Sequence, residues 1–199
     1  MKKKGITFLL GGICFTVSQL LLRIPLLNYF LGTSKFQLLY ILNPLLIGIL
    51  IAFSAGVFEE SFRFIFRNLF FKKKDTKLSV PIIFGLGHGI VEAVFVLAPS
   101  LSVVPLGELK IALLERVLAI VLHVGLTVIV WNGFQRNKKI QYLLLAIFIH
   151  GLANSLIPIL VPFAYSILII ESLLFLIDIF IVLYVYQSKK YYYSKGEER

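Results

Sequence analysis

From residue 6 onward the sequence is a succession of about six apolar segments, each near the ~20 residues that a helix needs to cross a bilayer. They cover 6–27, 36–71, 80–99, 108–131, 140–156 and 163–186, with short polar stretches between them. No water is available in lipid to satisfy backbone groups, so segments of this kind fold as helices. Composition agrees: 59% of residues are hydrophobic and 15% charged, against the ~25% charged usual for a soluble domain. The expectation is an all-α, polytopic helical membrane protein with about six spans, multi-pass in the cell membrane. The length leaves room for a single integral-membrane domain over 1–199. Residues 1–22 open like a signal peptide, with Lys2, Lys3 and Lys4, but no small-residue cleavage pattern follows, so they read as an uncleaved first helix.

The net charge of +10 has a topological reading. Basic residues gather at the N-terminus, at 72–77, at 136–139 and at the C-terminus, whereas the loops near 28–35, 99–107 and 158–162 hold only Lys35. With six spans these basic segments share one side, which places both termini in the cytoplasm and allows attraction to anionic membrane lipid. Nucleic acid is not expected as a partner, because no soluble basic fold is available to carry it. The one cysteine, Cys14, excludes an internal disulfide and reads as a small packing or lipid-facing residue.

Against this background, ionisable residues at membrane depth are functional candidates, because they are costly to bury. Glu59 and Glu60 are adjacent, with Arg63 a turn further on. Glu60, His88, His123 and His150 each lie 11–13 residues from the nearest basic cluster, about 16–20 Å at ~1.5 Å per residue. Glu92 and Asn154 follow His88 and His150 at i+4, on the same helix faces. Four spans thus direct ionisable or amide groups to one layer. Asn43-Pro44 predicts a kink in the second span, the 62–71 portion of that span is expected to tilt or emerge at the interface, and Pro158 and Pro162 are expected to bracket a turn. Gly48, Ala52 and Gly56 form a small-residue ladder suited to close helix contact. Glu115-Arg116, Glu171 and Asp178 read as structural charges.

Two adjacent carboxylates in a low-dielectric layer do not readily both ionise, which leaves one free to work as an acid or base while Arg63 pairs with the other. A Glu and a His facing one water form a general-base pair for hydrolysis, and a second His with Asn154 can donate to a developing oxyanion. No H-E-x-x-H helix and no G-x-S-x-G elbow is present. No metal is required by this scheme. Zinc remains the alternative, with His88, His123 and His150 and a carboxylate, Glu92, or else Glu59 or Glu60, as ligands, and another carboxylate left over as base.

Glu59-Glu60-x-x-Arg63, Phe84-x-x-x-His88 and His150-x-x-x-Asn154 resemble the three motifs of the CAAX-protease and bacteriocin-processing (CPBP, or Abi) membrane peptidases. Phe58-Glu59-Glu60-x-x-Arg63, Gly85-x-Gly87-His88-Gly89-x-x-Glu92-Ala93 and Glu115-Arg116 followed by His123-Val124-Gly125-Leu126 look more like the YhfC family of intramembrane peptidases. The motif core spans 58–154, about half of the chain. The resemblance implies a site inside the bilayer in which Glu59 or Glu60 activates water, His88 assists, and His150 and Asn154 stabilise the oxyanion. One residue fewer separates the acid pair from the arginine than in CPBP peptidases, so the choice between Glu59 and Glu60 as base stays open.

The expected function is hydrolysis of a peptide bond in an apolar or membrane-associated peptide. The competing readings are a zinc-dependent intramembrane protease and a non-enzymatic membrane binding or transport subunit. A transporter would distribute polar groups along a path through several depths; here they concentrate in one layer.

Overall fold

The computed structural model describes residues 2–71 and 77–192. Most of the basic loop at 72–77, and Tyr193 of the C-terminal tail, lie outside the described residues. Among the described residues there is no strand, and six helical stretches are long and apolar enough to cross a membrane. The chain is thus a multi-pass helical membrane protein.

The first span, Lys3–Leu31, joins α1 (Lys2–Phe15), a π-helical stretch (Thr16–Arg23) and α2 (Ile24–Leu31). In the π-helical stretch the Ile24 N–H donates to the carbonyl of Gln19, five residues back. Gln19 and Arg23, four apart, lie on one face of this stretch, and Arg23 Nη1 donates to Gln19 Oε1. A separate short helix, α3 (Ser34–Leu42), precedes α4 (Pro44–Phe70). The sequence predicts one span over 36–71 with a kink, but the helix stops at Asn43, with φ −139° and ψ 62°. Pro44 explains the break: it has no N–H to donate and its ring disfavours helical geometry in the residue before it. Beyond Phe62, α4 continues to Phe70 as one helix, with Arg63 and Arg67 buried inside the protein rather than set at a surface. Arg67 donates to the Phe71 carbonyl and lies over the Phe134 and Trp131 rings.

The remaining spans are α5 (Ser79–Leu101), α6 (Lys110–Gln135), α7 (Lys139–Leu160) and α8 (Ser166–Gln187). Pro158 does not open a turn; α7 runs through it to Leu160, and Pro158 packs on Gly48 of α4. The central helix is α6. Of its apolar window 56% is buried, against 17% for α8, whose other faces are left for lipid. Phe84, Leu126, Ile129, Trp131 and Cys14 belong to the core around it, so Cys14 is a packing residue.

Small residues set the helix spacing, as they do where no hydrophobic force drives helices together in lipid. A Cβ on Gly87 of α5 would stand 2.0 Å from the Phe8 carbonyl oxygen, and one on Gly11 of α1 would stand 2.0 Å from that of Phe84. These two backbones therefore touch. Gly56 plays the same part between α4 and α7, 2.9 Å from the Ile147 carbonyl oxygen, so the Gly48–Gly56 ladder faces α7. Gly87→Ala forces α1 and α5 apart and is expected to destabilise the bundle by about 1–3 kcal/mol or more. Unfolding of the detergent-solubilised protein by SDS titration checks this, with Gly5→Ala, where nothing lies within 4 Å, as the neutral comparison.

Candidate active site

Close packing brings the polar layer of α4, α5, α6 and α7 to one point and adds the first span to it. Glu59 is its hub. Its Oε1 accepts from Gln19 Nε2 at 2.6 Å; its Oε2 accepts from His88 Nε2 at 2.8 Å and from Arg63 Nη2 at 3.3 Å. Glu60 Oε1 accepts from Arg63 Nη1 at 2.6 Å and from His150 Nδ1 at 2.8 Å. Arg63, fully buried, therefore bonds both acids through one fork, which places it a single turn along the same helix from each of them. The three imidazoles stand in a row, with ring centroids 5.1 Å apart for His88–His123 and 5.3 Å for His123–His150.

The carboxylates and the guanidinium fix the tautomers. Arg63 Nη2 also lies 2.7 Å from His123 Nδ1. A guanidinium can only donate, so Nδ1 of His123 carries the lone pair and Nε2 carries the proton. That nitrogen is in direct contact with Glu92 Oε2. His150 is the reverse case: Nδ1–H donates to Glu60, and Nε2 is left bare 3.9 Å from Glu59 Oε1. Glu92 is held from its other side by Arg116 Nη1 at 3.3 Å, and Arg116 in turn pairs with Glu115. The Glu115-Arg116 motif thus orients Glu92.

Of the residues expected from sequence, Glu59, Glu60, Arg63, His88 and His150 form one hydrogen-bonded cluster, with His123 and Glu92 joined to it. Asn154 lines the adjoining cavities, but among the described residues its amide makes no hydrogen bond to the acids or histidines. Asp178 is buried on α8 with neither carboxylate oxygen hydrogen-bonded to a described residue. The residues missed are Gln19 and Arg23. An amide alone in an apolar run, as Gln19 is, was the available signal.

The donor set suits a divalent metal. Ligand atoms from Glu59, His88, Glu92 and His123 all lie within 4.8 Å of one another. In a closed tetrahedral site with bonds of about 2.0–2.2 Å, such atoms stand about 3.3–3.6 Å apart, so small side-chain shifts would close the group around an ion. His88 Nδ1 is buried without a hydrogen-bond partner. His150, expected from sequence among the metal ligands, is not part of this group; its Nδ1 donates to Glu60 and its bare Nε2 stands 3.9 Å from Glu59 Oε1.

Two cavities meet the cluster. One of about 960 Å³ reaches Glu59 and Glu92 between apolar walls that include Phe15, Ile51 and Phe95. The other, about 60 Å³, adjoins His123, His150 and Glu92 from the side of Leu122 and Leu174. The first is of a size to take a small ligand or several residues of a peptide; the second holds a water or two.

Residues 1–104 and 96–174 match a family model described as YhfC intramembrane metalloprotease. The uncharacterized membrane protein YhfC of Bacillus subtilis is 27% identical over 182 residues, covering 74% of this chain and 70% of the relative. No solved structure matches.

Proposed function

The chain belongs to the YhfC family, and from that premise we propose that it is a metal-dependent intramembrane peptidase that hydrolyses a peptide bond in an apolar, membrane-associated peptide. The observation that carries the reading is the compact Glu59–His88–Glu92–His123 donor group, of which Glu59 and Glu92 line the large cavity. Those four residues would hold the ion. A mixed imidazole and carboxylate set suits zinc. Bound there, the ion would polarise the scissile carbonyl and make water a nucleophile at neutral pH.

The chain's own groups handle substrate and protons. An extended stretch of substrate lies along the apolar wall of the cavity, since a helical backbone hides its carbonyls. His150 Nε2, bare and aimed at the cluster, takes the proton of the attacking water. Glu60 steadies the resulting imidazolium through Nδ1–H, as a carboxylate orients the imidazole of a catalytic His in other hydrolases. The water oxygen bonds to the carbonyl carbon, the carbon–nitrogen bond breaks, and His150 returns its proton to the leaving amine. Asn154, one turn along α7, donates to the carbonyl oxygen as it becomes negative.

A metal-free scheme is favoured by one specific observation, the Arg63–His123 contact, because the lone pair that would bind an ion is already engaged. In that scheme, the one implied by the likeness to CPBP peptidases, Glu59 or Glu60 is the base, His88 assists, and His150 and Asn154 are the oxyanion donors. Elemental analysis of the purified full chain decides between them. About one zinc per chain is expected, lost in His88→Ala and in His123→Ala. A folded wild-type protein without metal, and unable to take up zinc on addition, would sink the metal reading and leave the glutamate–histidine scheme.

A further inference from the structure

Arg23 has no role in the chemistry above. It is half-buried in the first span, on the wall of the large cavity. Its guanidinium donates to three neutral acceptors: Nε to Ser54 Oγ at 2.9 Å, Nη1 to Gln19 Oε1 at 3.0 Å and Nη2 to the Ile51 carbonyl at 2.9 Å. No carboxylate lies within ion-pair distance of it among the described residues, whereas Arg63 and Arg116 each have acidic partners. Five N–H groups and three bonds leave one donor free on each terminal nitrogen. A permanent cation with spare donors in an apolar cavity is an incomplete pair.

Its position relative to the cluster is also fixed. The Gln19 amide bridges it to Glu59, with one hydrogen bond on each side. The span from guanidinium to carboxylate is then about two residues of extended chain at ~3.3 Å per residue. The bonds to Ser54 and Ile51 hold the fork against α4, so its free edge keeps a constant direction.

We propose that Arg23 is a substrate-recognition residue that binds a carboxylate of the peptide about two residues from the bond to be cut. The proposal rests on the peptidase reading for the meaning of that bond, but the binding itself does not. The carboxylate is either the C-terminus of the peptide or an acidic side chain. A planar, bidentate guanidinium–carboxylate pair supplies both affinity and register, which a greasy cavity alone does not.

The test measures binding to the full chain in detergent micelles by calorimetry. The probes are N-acetyl-trileucine as free acid, the same peptide as carboxamide, and a carboxamide with aspartate as the middle residue. The free acid is expected to bind at least about tenfold tighter than its carboxamide, with the preference falling below about twofold in Arg23→Gln and partly returning in Arg23→Lys. Comparable tightening with the aspartate probe assigns the site to side chains as well; tightening with the free acid alone assigns it to C-termini. Chelator treatment separates Arg23 from any metal as the anchor. Equal binding of acid and carboxamide, no binding of any probe, a preference that survives Arg23→Gln, or one that disappears with chelator would each overturn the proposal. Should Arg23→Gln not fold, protection of Arg23 in the wild-type protein from dicarbonyl modification, by the acid and not by the carboxamide, replaces it, and absence of protection counts against the proposal. A protein that binds the acid through Arg23 but cleaves nothing would remove the peptidase reading and leave this site intact.

Discussion

Glu59→Gln lowers peptide cleavage by about a thousandfold or more while the protein stays folded in the membrane. The reason is the number of donors that converge on this one side chain. Gln19, His88 and Arg63 all donate to its two oxygens. A glutamine has a single acceptor oxygen. Its NH₂ would meet either the Gln19 amide or the His88 and Arg63 donors head-on, so the side chain must turn or its neighbours must shift. The substitution also removes a negative ligand from the candidate ion group and the carboxylate nearest to the bare Nε2 of His150. Shape is nearly preserved, so packing of α4 on α7 at Gly56 is untouched. Glu60→Gln, by contrast, spares the ion group and disturbs only Arg63 and His150. It is expected to leave metal content unchanged and to lower cleavage less. A cleavage assay on a membrane-embedded peptide, run beside elemental analysis, checks both. Equal metal loss in the two variants, or full activity in Glu59→Gln, would contradict the assignment.

Much of this site is legible in the sequence, because membrane burial makes ionisable residues rare and depth can be counted from basic ends. Glu60, His88, His123 and His150 stand at similar distances from those ends and meet in the structure. What counting cannot supply is which imidazole faces which acid. The partners come from different helices, and their pairing follows from rotations set by Gly11, Gly87 and Gly56 rather than by spacing. His150 is turned to Glu60 and stands outside the ion group, while Glu59, one of the carboxylates that the sequence offers as ligands, joins it beside Glu92. Gln19 and Arg23 were hidden for a different reason. Their i, i+4 spacing already puts them on one helix face, but nothing local predicts the partners Glu59, Ser54 and Ile51 that α4 brings to them. Asn43-Pro44 carries a visible signal that does more than kink the span: the helix ends there, which makes α3 a separate piece, with Tyr40 and Pro44 lining the large cavity.

Arg63→Gln is the second large effect, and it acts in opposite directions on stability and on ion binding. The guanidinium is fully buried between Glu59, Glu60 and His123. Removing one partner from a buried ion pair leaves an uncompensated charge and typically costs about 3–5 kcal/mol. The metal-free variant should therefore unfold at much lower SDS, and Glu60→Gln added to it should recover part of the loss, because one of the two orphaned charges is gone. At the same time Arg63 and an ion compete for His123. If the ion takes Nδ1, Arg63 must leave it; if it takes Nε2 while Arg63 keeps Nδ1, the ring must give up its only proton. Without the guanidinium, Nδ1 is free and the buried acids lack a cation. Zinc added to Arg63→Gln should accordingly bind more tightly than to the wild-type chain and restore stability in proportion to its saturation, by about 2.7 kcal/mol at a free concentration of 100 times its dissociation constant. Stability that zinc cannot recover would mean that the four donors do not close around an ion even when their competitor is gone, and the Arg63 fork would then be the permanent cation of a metal-free site.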